Sequence, residues 1–170
     1  MKNKKISIIL VSIIMLALAV PVFAADLNNT TTSGSTTITY GVSESYTVSI
    51  PASFNFTVDS LTKEETVSAS NVLIADGNTL TVTMSSANYV SGNAYTLNYG
   101  TDAISKIPYS IKLGEADFVN AENVLTVAAG TTSATSEKIT FATTTENIQQ
   151  ATKSGDHVDT LTFTVSVNDN

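Results

Sequence analysis

The 170-residue chain contains no cysteine, no tryptophan and no arginine, and its one histidine is His157. Without cysteine there is no disulfide framework and no thiolate to serve as nucleophile or metal ligand. A lone imidazole leaves zinc without its usual ligand set. Positive charge is scarce as well: three of the eight lysines stand within residues 1–5, which leaves five Lys against fifteen Asp and Glu beyond residue 24, a net charge of 5 − 15 = −10. Phosphate binding needs clustered Lys or Arg, so no nucleic-acid partner is expected, and an anionic membrane surface is disfavoured for the same reason. Helical periodicity is missing too. Thr144–Lys153 offers one turn at most, because Ile148 and Ala151 alone cannot bury a helix.

One long apolar run is present, at the start. Met1-Lys-Asn-Lys-Lys5 is followed by Ile6 to Phe23, interrupted only by Ser7, Ser12 and Pro21, and Val22-Phe23-Ala24 places small residues where a signal peptidase reads them. The run approaches the roughly 18 to 20 residues that cross a bilayer. Polar Asp26-Leu-Asn-Asn directly after Ala24 favours cleavage instead, so residues 1–24 are expected to be a Sec signal peptide, leaving no membrane span. Export to the extracellular or cell-wall surface follows, and the absence of cysteine fits a bacterium that relies on the apolar core alone. Residues 25–37, rich in Thr and Ser, are expected to form a flexible arm or a strand that joins a sheet, its own or a neighbour's. Residues 38–170 are expected to fold as one domain.

That domain reads as strands. In Ser45–Val58, Tyr46, Val48 and Ile50 form one apolar face and Phe54, Phe56 and Val58 another, broken at Pro51, which removes a ladder donor. Asp59–Ser70, with Lys63-Glu-Glu65, reads mainly as a loop. Val72 and Ile74, then Asp76-Gly77-Asn78, then Leu80, Val82 and Met84 suggest a tight hairpin. Further strands are predicted at 94–99, 107–113, 124–128 and 137–142, the last with Ile139 and Phe141 inward. The chain closes on Leu161, Phe163, Val165 and Val167 alternating with Thr162, Thr164 and Ser166. A strand of this length is expected inside a sheet, paired with neighbours far back in sequence. The fold class is therefore all-β, an immunoglobulin-like two-sheet antiparallel β-sandwich, with a β-barrel as the alternative.

Chemical motifs are sparse. His157 with Asp156 or Asp159 supplies two parts of a hydrolase triad, but no Gly-x-Ser-x-Gly elbow accompanies them. Asp156 with Asp159 and Glu64 with Glu65 are carboxylate pairs outside any pocket signature. Asp76-Gly-Asn78 and Asn168-Asp-Asn170 hold pieces of a calcium loop without its full ligand pattern, so neither metal nor cofactor is expected. No enzyme activity is expected either. Tyr89, Tyr95, Tyr99 and Tyr109 are the candidate ligand contacts, since exposed tyrosines stack on sugars or anchor protein partners. Tyr95, Leu97 and Tyr99 share one strand face, which supports a core role for them.

The leader, Ser49-Ile-Pro-Ala-Ser-Phe-Asn-Phe56, the Leu80-x-Val-x-Met84 strand and the closing Leu161-Thr-Phe-Thr-Val165 together resemble the WxL group of Gram-positive surface proteins. In that group the last strand carries Leu-Thr-Trp-x-Leu after a Tyr, and a second Trp-x-Leu lies upstream. Here Phe163, Val165 and His157 stand at the corresponding places, and the upstream motif has no counterpart. The resemblance implies a secreted, non-catalytic binding or structural module held non-covalently at the cell wall, with a wall polymer or other surface proteins as partners. A fibre subunit that adds its arm as a strand to a neighbour is the alternative, and an exported glycan-active enzyme the third.

Overall fold

The computed structural model describes residues 36–92 and 94–169. The expected leader and all but the end of the arm lie outside these residues. Residues 36–44 have no regular secondary structure, and Ile38, Tyr40 and Val42 in them are exposed.

From Ser45 on, the strands in chain order are β1 (Ser45–Ser49), β2 (Thr62–Leu73), β3 (Thr79–Ser86), β4 (Tyr89–Val90), β5 (Ala94–Tyr99), β6 (Asp102–Leu113), β7 (Ala116–Asp117), β8 (Asn123–Ala128), β9 (Thr135–Ala142), β10 (His157–Val158) and β11 (Leu161–Asn168), with one helical turn, α1 (Thr145–Ile148), after β9. The larger sheet runs β1-β2-β9-β6-β5-β10, with β4 also on β5 and β7 on β6, and the smaller runs β11-β3-β8. All pairings are antiparallel. The two-sheet sandwich expected from the alternation is the fold.

Between the sheets lies one apolar core. Val67, Ala69 and Val72 of β2, Ile139 and Phe141 of β9, and Tyr95, Tyr109 and Ile111 of β5 and β6 face Leu80, Val82 and Met84 of β3 and Val124, Leu125 and Val127 of β8. Two bulges keep these sets in phase. Asn71 takes φ 52, where β1 and β2 shift register, so Val72 and Ile74 fall on the same buried face as Val67 and Ala69 despite the odd spacing. A second shift, between Val82 and Thr83 against β8, lets the adjacent Val124 and Leu125 both be buried.

Three expectations are corrected. Residues 62–70 belong to the long strand β2, not to a loop. Its inward positions begin with half-buried Lys63 and Glu65 before Val67, and Glu64 pairs with Lys138 of β9 across the outer face at 3.0 Å. The polar start concealed the alternation. Asp76-Gly77-Asn78 is a turn, with Asn78 N–H donating to Ala75 O at 3.1 Å, but it carries the chain from one sheet to the other. A two-residue type I′ hairpin needs both central residues at positive φ, and here Gly77 alone has it (φ 83). Finally, β11 does pair far back, Leu161 with Ser86 through Asn168 with Thr79, but among the described residues on β3 alone. It is an edge strand, and Leu161, Phe163 and Val165 are half-buried.

Candidate functional site

Phe54, Phe56 and Val58 keep the alternation of a strand, yet among the described residues their segment makes only the isolated bridge Thr57–Ser60. β1 ends at Ser49, just before Pro51, and pairing with the larger sheet resumes only at Leu61, whose carbonyl accepts from the Thr143 N–H at 2.9 Å. Residues 50–58 thus pass over the core end without joining a sheet. Residues of this segment and of 155–163, which lead into β11, together line a cleft of about 930 Å³. Its apolar lining includes Phe54 and Phe56 from the first segment, Leu161 and Phe163 from the second, and Leu97 and Ile107, with the buried Tyr109 and Phe141. Phe54 leans on Phe141 with ring centroids 4.9 Å apart and meets Phe56 edge-on at 5.8 Å, while Phe56 reaches Tyr109 at 6.3 Å. The rings brace one another, which gives the unpaired segment its position.

The second segment is held by polar groups. His157 and Val158 pair with Tyr99 and Asn98 of β5, after which the chain leaves the larger sheet and enters the smaller as β11. Asp159 sits at that crossing. Its Oδ2 accepts from Ser86 Oγ and from Tyr109 OH, each at 2.6 Å, and its Oδ1 accepts from the Thr160 N–H at 2.7 Å and the Asn88 N–H at 3.1 Å. One carboxylate thereby ties β3, β6 and the β10–β11 crossing together. Asn88 adds a side-chain bond to Val158 O at 2.8 Å, and Asn120 accepts from the Ser86 N–H at 2.8 Å.

A Ser–His pair stands beside it. Ser105 Oγ lies 2.7 Å from His157 Nε2, and Ser105 also accepts the Thr152 and Lys153 N–H groups at 2.9 and 3.1 Å. With both lone pairs taken, the hydroxyl proton goes to Nε2, and the ring proton on Nδ1 is donated to Gly155 O at 3.0 Å. Ser105 is fully buried, in the irregular stretch where β5 and β6 shift register, and the ring's described hydrogen bonds go to Ser105 and Gly155 O. The pair clips residues 152–157 to β6; it gives a substrate no hydroxyl to meet. Gly155 is required here. Its φ is 125°, and a Cβ would come 2.9 Å from Tyr99 Cε2.

The four tyrosines divide. Tyr89, Tyr95 and Tyr109 are directly opposite one another across β4, β5 and β6, a row running from the exposed edge into the core. Tyr95 and Tyr109 are buried, Tyr95 donating to Phe118 O at 2.8 Å; Tyr95 has no face to offer a ligand, and Tyr109 reaches the cleft with only 6% of its surface exposed. Tyr89 is 38% exposed, and half-buried Tyr99 packs against His157 with centroids 5.6 Å apart, Lys153 Nζ lying 5.4 Å from its ring. Asp156 is exposed, whereas the Asp159 carboxylate is fully engaged, so the two do not form an acid–base pair. The calcium-loop pieces do meet, but through a donor: Asn78 Nδ2 donates to Asp169 Oδ1 at 2.8 Å. Among the described residues no group of three His, Asp or Glu converges as a metal site.

Burial holds the Tyr95 phenol up at about 12, helped by Tyr89 and Glu122. Burial, and then the bond to Asp159, push Tyr109 up further. Both raised values mean that the folded state keeps protons the unfolded chain releases near pH 10. The stability they contribute is complete below about pH 10 and is lost as pH rises through the folded values. The urea midpoint is therefore expected to fall above about pH 10, with a late tyrosinate absorbance step that coincides with the loss of β circular dichroism. Tyrosinate absorbance that reaches its final value before the fold is lost would contradict this.

No known family profile matches the chain, and no curated relative does. Among solved structures it is similar to a chain of a complex described as a chaperone-tip adhesin complex vital for synergistic activation of CFA/I fimbriae biogenesis, at 11% identity and a TM-score of 0.47, covering 71% of this chain and 41% of that one. This chain thus spans less than half the length of that neighbour.

Proposed function

We propose that this chain is a non-catalytic binding and assembly module of the cell surface, which takes an extended polypeptide segment along the free edge of β11 with alternate side chains in the adjoining cleft. The single observation that carries the reading is that this apolar cleft adjoins a strand edge which has no partner among the described residues. Strand addition uses both at once: the edge supplies main-chain hydrogen bonds, and the pocket selects side chains at every second position. A wall polymer would call instead for exposed rings beside polar groups. The rings here are phenylalanines braced against the core, and the one carboxylate at the crossing already has its donors. The leader and the resemblance to WxL proteins support placement outside the cell, at its wall.

The test is nuclear magnetic resonance of the exported protein titrated with a peptide of alternating Val and Thr, about ten residues long. Amide shifts are expected at residues 161–167 and 54–58. Retention on purified cell-wall sacculi, with those amides unmoved by the peptide, would overturn the reading.

A further inference from the structure

Residues 27–43 carry no charge, as is also true of 45–58 and 77–101, in a chain of net charge −7. Within the first of these tracts Ile38, Tyr40 and Val42 recur at every second position, separated by Thr39 and Gly41. They are 93%, 88% and 66% exposed, the first two being the most exposed large apolar side chains among the described residues. Period-two spacing places all three on one side of an extended segment. On β11, Leu161, Phe163, Val165 and Val167 have the same spacing and are half-covered. Among the described residues a single chain therefore carries two rows of one kind: an exposed apolar row in a segment outside any strand, and a half-covered apolar row on a strand at the end of its sheet.

We infer that the segment which occupies β11 and its cleft is residues 36–43 of a second copy of this chain. The inference rests on the strand-addition reading above and names its occupant. Neutrality is the electrostatic part of the fit. Two bodies of like negative charge repel, and residues 36–43, being uncharged, can enter the other copy's cleft, already furnished with Asp156 and Asp159, without adding charge. Added as a strand, the segment would set Ile38, Tyr40 and Val42 against the β11 row and leave Thr37, Thr39, Gly41 and Ser43 on the outer side. Donor and acceptor are different surfaces, so the contact is heterologous. Each addition leaves one free arm and one free edge, and assembly proceeds head to tail.

The experiment is sedimentation velocity of the exported product of the full chain over a wide concentration range, with the variants Tyr40→Asp in the donor and Val165→Lys in the acceptor. The unmodified protein is expected to form a concentration-dependent series of oligomers, and each variant to weaken it by about thirtyfold. Mixed together, the two variants are expected to stop at a heterodimer, since only one competent donor and one competent acceptor remain. A peptide of residues 36–43 should dissolve the oligomers and move the amides of 161–167. Tyr40 is exposed, so its variant and the peptide carry the test even where Val165→Lys fails to fold. A protein that stays monomeric at every concentration, or an arm protected from protease independently of concentration, would overturn the inference. Binding of the Val/Thr peptide but not of the 36–43 peptide overturns the self-donor alone. Binding of neither removes the strand-addition reading with it.

Discussion

Phe141→Ala is expected to cost about 3–5 kcal/mol of stability, and Phe163→Ala only about half of that. Phe141 is fully buried on β9 beside the cleft and carries the Phe54 ring at 4.9 Å, so its removal leaves a cavity and frees the segment that Phe54 pins. Phe163 stands opposite Met84 on an edge strand and already has one side open. A fully buried ring at Phe163 would cost as much as at Phe141; Phe163 is only half-buried, so the larger loss falls on Phe141. Urea denaturation with an unchanged m-value measures both. Equal losses would show that β11 is covered in solution by something that a single chain leaves off.

Asp159→Ala is expected to cost about 3 kcal/mol, a large figure for a half-buried surface residue. It removes the acceptor of four donors, of which two are backbone N–H groups that cannot turn away. Asp159→Asn should lose less, about 1–2 kcal/mol, because its amide nitrogen can face Ser86 and Tyr109, whose hydroxyls rotate to accept. Tyr109→Phe removes a single bond and should cost about 1 kcal/mol. A double-mutant cycle between Asp159 and Tyr109 isolates their coupling. Hydrogen exchange locates the damage: the His157 and Val158 amides should lose protection in Asp159→Ala before the β2–β9 ladder does. Uniform loss across both sheets would show that the carboxylate does not hold the crossing.

The candidate site was legible in parts. Phe54, Phe56, Leu161 and Phe163 each stand out as apolar members of an alternation, but the missing ladder beside residues 54–58 that makes them a cleft leaves no mark in the sequence. Asp159 stands out in the sequence only as half of a carboxylate pair and as a neighbour of His157. Its partners Ser86 and Tyr109 lie 73 and 50 residues away, and neither type is distinctive in a chain rich in hydroxyls. Ser105 was not singled out at all. The one available signal was His157 itself, a lone imidazole beside a glycine turn.

What the sequence determined by itself is which residues extend and which way they face. Leu80, Val82 and Met84, Ile139 and Phe141, and the Leu161–Val167 row all point as their alternation says, because successive side chains of a strand must leave opposite faces. What only the tertiary structure decided is which strand lies beside which: that the Asp76–Asn78 turn crosses between sheets, that Asn71 takes a bulge, and that β11 ends a sheet. The reason is physical. Burial acts on side chains, which differ from residue to residue and so write a pattern. Pairing acts through backbone N–H and C=O groups, which are alike at nearly every position, and the choice among partners is settled by long-range closure of the whole core.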